Sequence, residues 1–155
     1  KLFYADWQRC PADKTMSSIL YVDHDLACRC LVTFTIWQLG YWNDVVASSQ
    51  RALQAFQRRQ YDLVFIDLAM PEMDGFALAR AIRELEREKR RAPALLCGMS
   101  VIDDPVLRQH CRDVGMEEFI GRPCSCDDLR YIIRLGEALH TQRPGKGHYF
   151  ENTGC

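Results

Sequence analysis

Leu63-Val64-Phe65-Ile66 is an apolar block without a polar interruption, blocks of the same kind recur at Ile19-Leu20-Tyr21-Val22, Val45-Val46-Ala47 and Ala94-Leu95-Leu96-Cys97, and Glu118-Phe119-Ile120 reads as a fifth strand. A strand with one wet face alternates apolar and polar residues, whereas a strand covered on both faces is apolar at successive positions. Between the blocks the spacing changes to that of helices. Leu31, Phe34 and Leu39 mark a first helix closed by Gly40, and Ala52, Leu53 and Phe56 mark a second. Phe76, Leu78, Ala79, Ile82 and Leu85 follow Gly75, Pro105 opens a fourth helix, and Leu129, Ile132, Ile133 and Leu135 follow Asp127 and Asp128. The charged stretch from Arg83 to Arg91 reads as a solvated helix face. Strands joined by helical crossovers run parallel, with right-handed connections. The expected fold is therefore α/β, a flavodoxin-like (βα)5 doubly wound parallel sheet in strand order 2-1-3-4-5.

A chain of 155 residues with 48% hydrophobic content has room for one domain with a substantial core. The pattern assigns residues 1–17, with Phe3, Tyr4 and Trp7, to a leader or linker, 18–140 to the domain, and the Gly-rich 141–155 to a flexible tail. Its formal charge of −1 provides no global field toward nucleic acid or anionic lipid, so direct nucleic-acid binding is not expected. No apolar run approaches the roughly 20 residues that span a bilayer, and no signal-peptide layout is visible. The expectation is a cytoplasmic protein without membrane contact. The eight cysteines are expected to be reduced thiols, because the core needs no disulfide staples.

In an open α/β sheet, chemistry collects beyond the carboxyl ends of the strands. Asp67 ends the third block and is followed by the turn Met70-Pro71-Glu72-Met73-Asp74-Gly75. After Val22 stands Asp23-His24-Asp25, where a dinucleotide-binding fold would carry G-x-G-x-x-G. Acid at this tip repels phosphate and attracts a divalent cation. The competing reading of Asp23 and Asp25 is a cap on the first helix, and that of Asp67 is a turn carboxylate.

The run from Tyr61 to Phe76, with Asp67 and Met70-Pro71-Glu72-Met73-Asp74-Gly75, resembles the phosphoacceptor segment of two-component receiver domains, and the resemblance extends over about residues 18–140. It implies that Asp67 is the phosphoacceptor, attacking a phosphohistidine to form an acyl phosphate. It implies a Mg2+ ion held by Asp23, Asp67 and the carbonyl of Ala69. His24 stands where the family has a second acid, which weakens the site unless Asp25 swings in or a softer metal such as manganese or zinc is used. Aligned from Pro93, the family's switch hydroxyl falls on Gly98 and is lost, with bulky Met99 next and Ser100 reaching the place only through a loop shift. Phe119 takes the aromatic switch position. Arg122, before Pro123, replaces a lysine and is able to bridge Asp67, and the bond to Pro123 is a candidate for the cis form.

The resemblance further implies a histidine kinase or phosphotransfer domain as partner, a weak homodimer among the contacts it admits, and a parent such as a hybrid sensor kinase. Any activity amounts at most to self-phosphorylation. Three altered groups predict slow or absent phosphorylation and a role carried mainly by protein–protein interaction. A second reading keeps full phosphoryl acceptance, with His24, Ser100 and Arg122 standing in. A third places a thiol redox pair or metal site on the same fold, where Cys28 and Cys30 begin one helix and Cys124 and Cys126 begin another.

Overall fold

Every residue of β1 (Ile19–Val22), β3 (Leu63–Asp67) and β4 (Leu95–Ser100) is buried, as strands covered on both faces require. A computed structural model describes the backbone of residues 18–141 and side chains as far as residue 139. The expected leader at 1–17 and the tail after Thr141 lie outside the described residues. With β2 (Asn43–Val46) and β5 (Glu118–Gly121), the strands form one parallel sheet in the order β2-β1-β3-β4-β5, as expected. The helices are α1 (Leu26–Gln38), α2 (Ser49–Arg58), α3 (Gly75–Glu88), α4 (Pro105–Asp113) and α5 (Cys126–Thr141).

Alternate strand residues feed two cores. Leu20, Val22, Val64, Ile66 and Leu96 pack with Ala52 and Phe56 of α2, Leu78 and Ile82 of α3 and Cys111 of α4. Ile19, Tyr21, Leu63, Phe65 and Leu95 pack with Val32 and Ile36 of α1 and Ile132 and Ile133 of α5. Each large side chain removed from water this way contributes about 1.5–3 kcal/mol. Cap residues aim the helices. Asp25, Ser48, Asp74 and Asp104 accept the N–H of Cys28, Arg51, Ala77 and Leu107, each cap contributing roughly 1 kcal/mol. Ser125 and Asp128 form a reciprocal box at the start of α5. Each of these five caps follows a strand, β1 to β5 in turn, and together they fix helix N-termini around the carboxyl edge of the sheet.

Four local expectations are corrected. β2 is Asn43–Val46 rather than 45–47, because it pairs along the whole of β1 starting at Ile19↔Asn43. In α1 the stripe facing the sheet is Val32 and Ile36 with Leu39 half-buried behind them, while Leu31 (64%) and Phe34 (50%) are exposed. Leu31 and Phe34 lie one and two residues off that i, i+4 stripe. β4 runs on through Gly98, Met99 and Ser100, carried by its pairing of Met99 with Asp67. The charged stretch in α3 is not wholly solvated either. Glu86 is buried and accepts the Ala94 N–H at 2.6 Å, while Arg83 bonds Glu86 (2.7 Å), Glu117 (2.7 Å) and the carbonyls of Ala94 (2.9 Å) and Gly115 (2.7 Å).

Candidate functional site

The register places Val22 beside Ile66 and Asp67 beside Met99, so the residues that leave β1 and end β3 emerge next to each other. Asp23 and Asp67 are both buried. The N–H of Ala69 donates to Asp67 Oδ1 at 3.1 Å, and His24 Nδ1 lies 2.9 Å from Asp67 Oδ2 and 3.9 Å from Asp23 Oδ1. Arg122, just past β5, bridges Asp23 and reaches Asp67 less closely, Nη1 to Oδ1 at 3.7 Å. The first, third and fifth strand tips thus bring Asp23, Asp67 and Arg122 into one pocket. Donor atoms of Asp23, His24 and Asp67 lie within 4.8 Å of one another, close enough to face a single cation. Asp25 is the α1 cap, with its own N–H bonded to Asp23 Oδ1 at 2.8 Å, so the capping reading holds for it.

Tyr21 belongs to this site and was legible in the sequence only as a phenol in an apolar block. Residues two apart on a strand share a face, and the Tyr21 hydroxyl donates to Asp23 Oδ2 while receiving Arg122 Nη2 at 3.2 Å. Burial, then the bond to Asp23, raises the phenol's pKa far above its ordinary value, so it stays protonated and donates. Burial works against the charge of Arg122, yet the Tyr21 oxygen and the Asp23 and Asp67 carboxylates hold it above its already high ordinary pKa. The expected bridge from Arg122 to Asp67 is therefore the weaker of two, and Asp23 is the main partner. The Arg122-Pro123 bond is cis.

Gly98, the residue expected to mark the lost switch hydroxyl, lies inside β4 and not at its tip. It sits two residues short of the end of β4, paired with Ile66 and Phe119, and a Cβ there would meet Met116 Sδ at 3.0 Å and Cys111 Sγ and Leu68 Cδ2 at 3.3 Å. That is the core, not the pocket. Alignment from Pro93 failed because the strand starts at Leu95 and is longer than its first apolar residues suggest. Ser100 ends β4 instead. It is buried, its carbonyl accepts the Arg122 N–H at 2.7 Å, and its hydroxyl accepts the Ile102 N–H at 3.0 Å, so no loop shift is needed to bring a hydroxyl to this tip. Phe119 is half-buried, packs against the core and carries the Arg108 guanidinium 4.6 Å over its ring.

Among the described residues the cysteines do not form a centre. Although α1 and α5 pack side by side, among the described residues no cysteine joins a group of three metal-ligating side chains. Burial raises the pKa of Cys28 and of Cys124, the reverse of an activated thiol, and Cys30 and Cys126 are exposed.

Comparison with known proteins agrees with this geometry. Residues 19–134 match the response regulator receiver domain. Hybrid signal transduction histidine kinase K of Dictyostelium discoideum is 31% identical over 110 residues, 68% of this chain and 9% of that protein. Sensor histidine kinase GacS of Pseudomonas protegens is 28% identical over 142 residues, 88% of this chain and 16% of that protein. The chain thus spans less than a fifth of these relatives' length. Among solved structures, the chemotaxis protein CheY4 of Vibrio cholerae superposes with a TM-score of 0.71 at 24% identity, covering 77% of this chain and 98% of that one. The receiver domain of sensor histidine kinase PA1611 of Pseudomonas aeruginosa, solved with magnesium in its active-site cleft, gives 0.70 at 23%, covering 79% and 98%. Among the described residues no helix is long and apolar enough to cross a membrane. With an aspartate at the tip of the central strand, the winding 2-1-3-4-5 and a family match over three-quarters of its length, this chain belongs to the two-component response-regulator receiver family.

Proposed function

We propose that the chain is the receiver module of a histidine-kinase phosphorelay, that it takes a phosphoryl group slowly on Asp67, and that it acts through protein–protein contact. The partner is a kinase or phosphotransfer domain carrying phosphohistidine, and the matches to hybrid kinases support a parent of that architecture. The observation that carries the reading is Asp67 itself, buried at the tip of β3 with His24 at 2.9 Å and Arg122 at 3.7 Å, beside a strand that ends in Ser100. In the step, an Asp67 oxygen attacks phosphorus, the P–N bond to the donor imidazole breaks, and that nitrogen keeps the electron pair and takes a proton. The products are an acyl phosphate on Asp67 and a neutral histidine.

The resting contacts explain why this is slow. Asp67 Oδ2 has to give up His24, and the guanidinium of Arg122 is engaged by Asp23 before any phosphoryl group arrives. Charge neutralisation and positioning supply most of the catalysis in such transfers, so a committed cation lowers the rate. Ser100 offsets part of that loss. Turning its hydroxyl toward a phosphoryl oxygen releases the Ile102 N–H and draws on the loop that exposes Val101 and Ile102. The test is incubation with a small-molecule phosphodonor, followed by intact mass. A phosphoryl adduct that builds slowly, disappears in Asp67→Asn and falls in yield in Ser100→Ala is expected. The Arg122–Asp23 closure favours a second reading, interaction without phosphorylation. A folded wild type that never acquires the adduct establishes it and removes the first.

A further inference from the structure

All four carboxylate oxygens of the pocket are already engaged. Asp23 Oδ1 accepts the Asp25 N–H at 2.8 Å, and Oδ2 accepts both the Tyr21 hydroxyl and Arg122. Asp67 Oδ1 accepts the Ala69 N–H at 3.1 Å, and Oδ2 faces His24 at 2.9 Å. Mg2+ requires near-octahedral oxygen ligands at about 2.0–2.1 Å and gives up its water reluctantly. Here one of the three convergent donors is a nitrogen, and one of the two carboxylates is tied to a guanidinium whose side chain is only 14% exposed. The donor set does not fit the ion found in the PA1611 receiver.

We infer that Arg122, stationed by the Tyr21 hydroxyl over Asp23, is the resident cation of this pocket, and that the pocket excludes Mg2+. Two carboxylates face one guanidinium here, where an aspartate at His24 would add a third carboxylate. A divalent ion entering here has to strip Arg122 from Asp23 and Tyr21 together. Tyr21 is a positioning residue in this scheme. It touches neither substrate nor ion, and it holds the guanidinium at Asp23 rather than at Asp67.

The inference deepens the receiver reading in that it concerns the same pocket, but cation binding is measured without any phosphoryl transfer. The experiment is calorimetric titration of the whole chain with MgCl2, repeated with MnCl2, and with far-UV dichroism checking each variant's fold. The wild type is expected to give no saturable signal up to about 10 mM, a decade beyond the ~1 mM of weak carboxylate cation sites. His24→Asp with Arg122→Lys is expected to gain saturable Mg2+ binding, tightening the apparent constant at least about tenfold, or 1.4 kcal/mol. Tyr21→Phe, which keeps the ring and deletes only the hydroxyl, is expected to move in the same direction. A buried tyrosine with a merely structural role would not create affinity for magnesium when its oxygen is removed.

Saturable Mg2+ or Mn2+ binding by the wild type overturns the inference, as does a natively folded double variant that gains none. Should the double variant fail to fold, the wild-type titration decides alone. Failure of Asp67 to take a phosphoryl group would remove the phosphorelay reading and leave the cation seat standing. A wild type that binds magnesium does the reverse.

Discussion

Gly75, the first residue of α3, lies so close to the loop behind Asp67 that a single methyl group is enough to disturb the site. A Cβ built there would fall 2.6 Å from the carbonyl oxygen of Asp67, 2.9 Å from Leu68 Cα and 3.0 Å from Ile66 Cγ2. The two nearest atoms are backbone, so relief requires moving either the start of α3 or the segment that carries Asp67. Overpacking typically costs 1–3 kcal/mol, and an obstacle that no rotamer change relieves belongs at the upper end, about 3 kcal/mol for Gly75→Ala. Gly98→Ala supplies the internal control. Its Cβ would meet only the ends of Met116, Cys111 and Leu68 at 3.0–3.3 Å, which yield by small rotations. The alanine there also recovers about 0.5–1 kcal/mol of chain entropy lost by glycine, so the net change should stay within about 1 kcal/mol. Urea denaturation of both variants measures the difference, and Asp67 labelling should fall in Gly75→Ala alone. A Gly75→Ala protein within 1 kcal/mol of wild type, or a larger loss at Gly98, refutes the reasoning.

Removing the cation from the buried cluster in Arg83→Met is expected to lose about 3 kcal/mol in urea, because it leaves the buried carboxylate of Glu86 unpaired. Arg108→Met, whose partner Asp103 is 43% exposed, is expected to lose under ~1 kcal/mol in the same assay. Acid should destabilise the fold through Asp25, Asp103 and Asp128. Hydrogen bonds to the Cys28 N–H, to Arg108 and to Ser125 hold these carboxyls below their ordinary value of 3.8. A folded-state pKa below the unfolded one gives stability that is full above the unfolded value and lost as pH falls through the folded one. The thermal midpoint should therefore drop as pH falls below 3.8, and a midpoint that climbs over that range would contradict the assignment.

The winding was legible because consecutive apolar residues at Leu63, Val64, Phe65 and Ile66 leave few alternatives to a strand covered on both faces. Asp67, Asp23 and Arg122 were legible because each directly ends or follows such a block. What the sequence concealed lay where periodicity carries no information about neighbours. Counting from Pro93 put the hydroxyl position at Gly98, since a proline in a loop does not mark where the β4 ladder begins, whereas the residue that ends β4, one past the pairing of Met99 with Asp67, is Ser100. The face of α1 was misjudged because Leu31, Phe34 and Trp37 are as apolar as Val32 and Ile36, and only the packing against the sheet separates them. Tyr21 counted as one more apolar residue, and its oxygen acquired a meaning only when β5 delivered Arg122 beside it. The electrostatic centre of the pocket thus depends on a contact spanning 101 residues of sequence, beyond the reach of any local pattern.

Arg83 fastens the amino edge of the sheet at four points, on Glu86 within α3, on Ala94 ahead of β4, and on Gly115 and Glu117 ahead of β5. At the opposite edge, around residues 101–104, Ser100 ties the loop through the Ile102 N–H and Asp103 pairs with Arg108, whose guanidinium lies over Phe119 of β5. The two ends of α4 are thus secured by different means, the far end beside one guanidinium and the near end through the bonds of its own loop. The near end is also where Val101, Ile102 and Val106 turn oily side chains toward water, one step along the chain from the Ser100 hydroxyl.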